Sequence, residues 1–566
     1  MKGEADDTAI LTPPTAQTVS ADGDDSAALI HPDSESATAH VAVSAGKIGL
    51  GTFISRILGL VRDMVRAYFF GTGMAADAFT VAFRLPNLLR ALLGEGALSA
   101  AFVPIFGEYL ATKGRREAWA LASAAWSILA LVLIAVSIVG VLVSPYLVKV
   151  MAFGYRTVPG KLDLTISLTR VMFPYIVFVG LAALAMGILN SLRHFFAPAI
   201  SPVLLNLGMI ASMVIFCPRM GNLPEKQVYA LAGGVLVGGA AQLAIQIPFL
   251  KKKGMSFRFR PNWHHPGVKR IVWLMVPGTV GLGVLEINSF VDTFLGALLR
   301  PGSVAALEYG NRLMQLPLGI FGVALGTAIL PTLAIQAARE DFNQLRDTFS
   351  FAVRYVCFIM IPASVGLMVL RYPIIRLLLE RGEFRHGQSV SMTATALMFY
   401  AAGLVFYGSV KCVAPVFYSL KDTRTPVKTA VTAMLSNIVL NIILMQFLGL
   451  GGLALATALS SSLNLTLLLR HLRRRLGYIK GREMLSGVAR MGLAGAAMAV
   501  VCWASKTLVE RSGVAAGLAG RLAEVFFCGA AGLVVYLLIC RLLACSELAF
   551  AAGILRRRFG KGREAK

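Results

Sequence analysis

Acid is scarce in this chain. Of 566 residues only 29 are Asp or Glu, against 54 Lys and Arg, leaving a formal net charge of +25. Charged residues make up 15% of the whole and mean hydropathy is +0.71, which excludes a soluble enzyme and points to a polytopic membrane protein. Basic residues are not interleaved with aromatics in any module, so nucleic acid is not an expected partner. The seven cysteines are scattered, odd in number and without CxxC spacing, so neither a disulfide framework nor a zinc site is indicated. The histidines form no HExxH pair, no Walker A loop is present, and no segment carries a Ser/His/Asp or paired-carboxylate arrangement. Catalysis and direct ATP coupling are therefore not expected.

What the chain does have is apolar length. Fourteen runs reach the roughly 20 residues needed to cross a bilayer, among them 47–70, 75–111 and 303–338. Lys and Arg gather in alternate loops, which predicts both termini on the cytoplasmic side. The stretch 371–388, with Arg371, Arg376, Arg381 and Arg385, falls in an outer loop and reads as an interfacial helix. Residues 1–44 are acidic and lack aromatics, reading as a disordered tail that is not a secretory signal. The sequence also repeats: ALSAAFVP from Ala97 matches ALGTAILP from Ala324, and SLRHFFAP from Ser191 matches SLKDTRTP from Ser419, both about 227 residues apart. An even number of spans separates the copies, so both lie in one orientation, as in transporters with the substrate site between parallel repeats. The expected fold is all-α: an N-lobe of six helices over 45–255, a pseudo-symmetric C-lobe of six over 256–475, a helix pair over 476–555, and a basic tail over 556–566.

Charge inside these spans needs a reason, since one charge at mid-bilayer depth costs roughly 2.5–3.5 kcal/mol on insertion scales. The first span carries Arg56, Arg62, Asp63 and Arg66. At 1.5 Å per residue, Arg56 lies roughly 13–15 Å deep, whereas Arg66 at the helix end is explained by snorkelling. Ser55, Gly59, Arg62 and Arg66 share one face, and small Ser55 and Gly59 leave room beside Arg62. The second span is too long for one straight helix, with Pro86, Gly94 and Gly96 as break points; Asn87 and Arg90 project together on it. In the eighth, Glu308, Arg312 and Gln315 fall on one face. Deep arginine thus comes from both lobes, and planar guanidinium forks suit a diphosphate in a shared hydrated cavity. Two bland readings stay open: an Arg62–Asp63 pair that glues helices, and Asp77 as a helix-start charge favoured by the dipole.

The runs SRILGLVRD (Ser55–Asp63), GMAADAF (Gly73–Phe79), LPNLLR (Leu85–Arg90) and EGALSAAFVP (Glu95–Pro104) resemble the MurJ (MviN) lipid II flippases of the multidrug/oligosaccharidyl-lipid/polysaccharide exporter superfamily. RLMQLPLGIFGVALGT from Arg312 and APVFYSLKDTRTPVK from Ala414 extend the match over about 47–555. The resemblance implies a bacterial inner-membrane protein that moves undecaprenyl-diphosphate-linked peptidoglycan precursor outward by alternating access, with the lipid tail in a groove at the last two helices. It implies Arg56, Arg62, Asp77, Asn87, Arg90 and Arg312 around the central cavity, with Ser55 and Gln315 beside them. Some members carry a carboxylate where Gln315 stands. Some bind sodium in the second lobe, for which Asp292, Asn437, Asn441 and Thr457 are the matching residues; Asn441 replaces an expected Asp, and polar helix packing competes with a cation site. No cofactor is otherwise implied. Expected partners are the precursor lipid, membrane lipids and other cell-wall synthesis proteins. The rival readings are a polysaccharide-lipid flippase and a drug/cation antiporter, the latter calling for an anionic pocket.

Overall fold

The computed structural model describes residues 53–90, 97–256, 259–512 and 517–560. The acidic tail, Lys47, Gly94, Glu95 and Gly96 lie outside them. Every regular element among the described residues is helical. In chain order these are α1 (53–70), α2 (Met74–Arg90), α3 (Ala97–Thr112), α4 (Gly114–Met151), α5 (Lys161–Met172), α6 (Tyr175–Ser191), α7 (Phe196–Phe216), α8 (Pro224–Ala244) and α9 (Ile247–Lys252). The second half holds α10 (Pro266–Ala297), α11 (Ser303–Pro317), α12 (Val323–Ala338), α13 (Phe342–Val369), α14 (Arg371–Leu378), α15 (Ser389–Ala402), α16 (Leu404–Ser419), α17 (Arg424–Leu448) and α18 (Leu450–Leu476). Last come α19 (Gly481–Ser512), α20 (Gly517–Leu542) and α21 (Ser546–Gly560). Ten of the described helices are long and apolar enough to cross a membrane, or eleven with the α15–α16 pair, which bends by 42° at Gly403.

The duplication is written into the backbone. Left-handed residues recur at matched places: Gly160 and Gly387, Arg193 and Lys421, Gly221 and Gly449. Arg193 donates to the Asn190 carbonyl at 3.0 Å and Lys421 to Tyr418 at 3.0 Å, so the same turn closes α6 and α16. Two non-glycine residues accept a positive φ there because the chain must reverse in one residue.

Small residues set the close approaches that hold helices together without a hydrophobic driving force between them. Gly208 of α7 lies over Gly234 and Gly238 of α8, and a Cβ on it would stand 2.7 Å from Gly238 Cα. Other departures from straight helix have local causes. Pro317 offers no N–H, and the following Leu318–Gly322 turn is π-helical. Pro86, by contrast, is buried inside an unbroken α2, so the second span does not break there. The described helices stop at Arg90 and resume at Ala97.

α14 is the expected helix of the 371–388 stretch, packed against α15 and α20. α19 packs on α13 and α20. α10 lies just after the expected 255/256 boundary and touches both sides of it. The first turns of α10 sit in the N-terminal half, where Val268 and Ile271 join Phe102, Tyr109 and Leu121 in one core. Its last turns belong to the C-terminal half, where Asp292 meets Asn441 of α17. α10 therefore packs against both halves.

Candidate functional site

α1 brings its charged face to the centre of the bundle, and α2, α7, α10 and α11 complete the walls of a cavity of about 450 Å³. Five arginines line it (Arg62, Arg66, Arg84, Arg90 and Arg312), against two carboxylates, Asp292 and Glu308. Ser55, Asn87 and Gln315 line it as well. Arg62 and Arg90 come from the first half and Arg312 from the second, so both copies of the duplication face one hollow.

One carboxylate organises the guanidinium groups. Asp63 is 4% exposed. Its Oδ1 accepts from Arg62 Nε and Nη2 at 3.0 and 2.8 Å, and its Oδ2 lies 3.0 Å from Arg312 Nε. The expected Arg62–Asp63 pair exists, yet it is more than glue between neighbours: it reaches across to the other half. Arg62 also donates to Asn206 Oδ1 at 3.2 Å. Arg90 Nε donates to Asn87 Oδ1 at 2.9 Å, and Gln315 Nε2 to Asn311 Oδ1 at 3.2 Å. Arg84 Nη1 donates to Ser289 Oγ at 2.6 Å. Arg312 keeps 40% of its side chain exposed, turned to the cavity. An incoming phosphate offers these forks more acceptor oxygens than Asp63 does, in the geometry guanidinium prefers.

Arg66 corrects the sequence reading. It does not snorkel; it is 2% exposed. Nη1 lies 3.3 Å from Glu308 Oε1, Nη2 donates to the Ala76 carbonyl at 3.2 Å and to Thr80 Oγ1, and the group sits 5.1 and 5.2 Å from the rings of Phe79 and Tyr309. The end of α1 is covered: Gly382 packs on the Tyr68 carbonyl, and buried Phe384 stacks edge-on to Tyr309 at 5.6 Å. The Arg66 guanidinium is held by Glu308 and the Ala76 carbonyl at the cavity wall rather than reaching past the helix end.

Two expected cavity residues lie elsewhere. Asp77 is 1% exposed and does not line the cavity. Its carboxylate accepts from Lys161 Nζ at 2.7 Å, Gly302 N at 2.6 Å and Ala305 N at 2.8 Å. It thus caps α11 rather than its own helix, and it does so across the two halves. Beside it, Thr72 Oγ1 is 2.8 Å from Ser389 Oγ, a second bond between halves at the same end. Arg56 is exposed and lies against Gly319 in the π-helical turn after α11, outside the cavity lining.

Asp292, Asn437, Asn441 and Thr457 do assemble. Asn441 Nδ2 donates to Asp292 Oδ1 at 2.7 Å, and the amides of Asn437 and Asn441 touch at 2.8 Å. Thr457 Oγ1 is turned back on the Leu453 carbonyl. An amide nitrogen of Asn441 faces the carboxylate, and the bond ties α10 to α17. No group of three or more His, Cys, Asp or Glu able to hold a metal occurs among the described residues.

Relatives carry the same architecture. A family model described as lipid II flippase MurJ matches residues 66–523. A protein of Vibrio cholerae named probable lipid II flippase MurJ is 38% identical over 485 residues, covering 83% of this chain and 91% of that one. A Burkholderia cenocepacia protein named lipid II flippase MurJ is 37% identical, covering 75% and 82%. A solved structure titled lipid II flippase MurJ, inward closed conformation, matches with a TM-score of 0.71 at 26% identity, over 90% of this chain and 99% of that one. An inward-facing multidrug resistance MATE family transporter shares the fold at a TM-score of 0.61 and 15% identity, covering 77% and 99%. A match of this extent, with the paired halves and the arginine-lined hollow between them, places the chain in the lipid II flippase MurJ family.

Proposed function

We propose that this chain carries lipid II, the diphosphate-linked peptidoglycan precursor, from the inner to the outer leaflet of the bacterial cytoplasmic membrane. The observation that supports it most is the meeting of Arg62 and Arg90 with Arg312, from opposite halves, in one cavity. It is a transporter, and no bond in the substrate is made or broken. Counting α1, α2–α3 and α10 alongside the eleven apolar crossings gives fourteen, with both termini on the cytoplasmic, basic side.

Alternating access follows from contacts at the two ends. On the outer side, Asp77 and Thr72 tie α2 and the α1–α2 turn to α11 and α15. On the cytoplasmic side Arg270 and Glu108 pair at 2.8 Å, half-exposed and therefore weak. A cavity of about 450 Å³ receives a diphosphate and an adjoining sugar, and the rest of the headgroup requires the halves to part. Diphosphate oxygens take over Arg312 from Asp63, loosening the tie between halves at the moment of loading. The outer contacts then exchange for cytoplasmic ones, and α19 and α20 carry the polyprenyl tail alongside. An inside-negative potential favours outward movement of the anion by roughly 2.3 kcal/mol per charge per 100 mV.

A drug/cation antiporter is disfavoured by the sign of the cavity, five arginines against two carboxylates. A polysaccharide-lipid flippase would use the same diphosphate chemistry and differs only in the sugar. Arg90→Ala and Arg312→Ala in cells depleted of their own flippase test the reading. Stable membrane insertion without rescue of precursor export is expected, and normal export by both variants overturns it.

A further inference from the structure

A second cavity, of about 470 Å³, opens at the basic end of the bundle between α13, the start of α19 and the start of α21. It shares no residue with the central one. Its floor is a built ion pair. Arg354 Nε lies 3.1 Å from Oε1 of Glu547, which is 2% exposed. Ser546 Oγ donates to the same carboxylate at 3.1 Å, and Gly487 leaves space for the arginine stem, where a Cβ would stand 3.0 Å from Arg354 Cδ. With Glu547 so occupied, the charged groups left on the pocket wall are Arg482, Arg490 and the exposed carboxylate of Glu483, two positive against one negative. Both arginines are exposed, and neither forms an ion pair among the described residues. Arg490 makes one long bond, 3.4 Å, to the Leu543 carbonyl.

The surroundings belong to a lipid. α19 has 32 residues, about 48 Å of helix against a hydrocarbon core of about 30 Å, so its first turns stand in the headgroup layer. Leu485 and Leu493 of the same helix are 72% and 64% exposed, an apolar surface running on from the pocket's residues along α19. Phe550 of α21 packs edge-on against Phe351 and Tyr355 of α13 at 4.7 and 5.6 Å, fixing α21 beside the opening.

We propose that this pocket is a peripheral lipid site, holding the phosphate of an anionic lipid of the cytoplasmic leaflet between Arg482 and Arg490, with its chains along Leu485 and Leu493. A phospholipid and a polyprenyl diphosphate present the same chemistry to it. Native mass spectrometry of the full chain separates them, titrating phosphatidylglycerol, undecaprenyl diphosphate, phosphatidylcholine and inorganic phosphate in parallel. Wild type is expected to retain one anionic lipid more tightly than phosphatidylcholine, and whichever anionic lipid binds names the source. Arg482→Ala/Arg490→Ala is expected to bind it roughly thirtyfold more weakly, as for two basic residues lost from an anionic lipid surface. Arg473→Ala/Arg474→Ala removes equal charge from the same basic stretch outside the pocket and is expected to change binding little. Equal retention by wild type and the pocket variant overturns the proposal, as does an equal loss in both variants or binding of inorganic phosphate alone. Arg312→Ala, in the central cavity, leaves this site intact, so failure here says nothing against lipid II transport.

Discussion

Asp77→Asn isolates the closure at the end of the bundle that the proposed orientation sets outside the cell. The carboxylate holds Lys161 within its own half and two backbone N–H groups of α11 in the other, at 2.7, 2.6 and 2.8 Å. Removing one partner of a buried ion pair costs about 3–5 kcal/mol. The bonds to Gly302 and Ala305 cross to the other half and are the ones an opening would break, whereas the Lys161 contact lies within one half. Two charge-assisted bonds at roughly 1.5–3 kcal/mol each, partly replaced by the amide oxygen, leave a shift of about 3 kcal/mol. That is roughly a hundredfold in the open population. The readout is the rate at which an impermeant maleimide outside the cell labels a cavity cysteine at Asn311→Cys. The seven native cysteines are all buried. Labelling is expected to rise about a hundredfold in Asp77→Asn, and a Thr72→Cys/Ser389→Cys disulfide is expected to abolish it until reduced. A stably inserted Asp77→Asn variant labelled at the wild-type rate refutes the latch.

Three further outcomes follow from the same geometry. Lys161→Met strands Asp77 in a buried site and is expected to lower the melting temperature more than Asp77→Asn/Lys161→Met does, measured by thermal unfolding in detergent; an additive double variant contradicts a coupled pair. Gly302→Ala is expected to reproduce the accelerated labelling, because Gly302 has φ +91 and a Cβ there would fall 2.2 Å from the Thr72 carbonyl oxygen. Replacing sodium with potassium is expected to leave precursor export by proteoliposomes unchanged, since Asn441 turns an amide toward Asp292; a sodium-dependent rate contradicts that reading.

Much of the architecture was legible because apolar length and a repeated turn are local properties. The recurrence of SLRHFFAP and SLKDTRTP signals the paired turns at Arg193 and Lys421 before any contact is known. Helical spacing likewise puts Arg62 and Arg66 on one face, and the structure sets both into the same cavity. What sequence could not supply was rotation and cover. Arg56 counts as deep by its place in the apolar run, yet its side chain lies against Gly319 rather than in the cavity. Arg66 looks like a helix-end residue because Glu308 and Tyr309, about 240 residues on, are among the groups that enclose it. Asp77 reads as a cap for its own helix, and the helix it caps begins at Ser303. The Glu308–Arg66 pair left one faint signal: Glu308 precedes Arg312 by a single turn, so a carboxylate was bound to approach the arginine cluster.

The most direct test is equilibrium binding of radiolabelled lipid II to the purified chain in nanodiscs, comparing wild type with Arg62→Ala, Arg90→Ala and Arg312→Ala. Each variant is expected to bind more weakly by tenfold or more, as roughly 1.5–3 kcal/mol per lost guanidinium–phosphate contact requires. Wild-type affinity in all three, with the proteins folded, contradicts a diphosphate site shared between the halves.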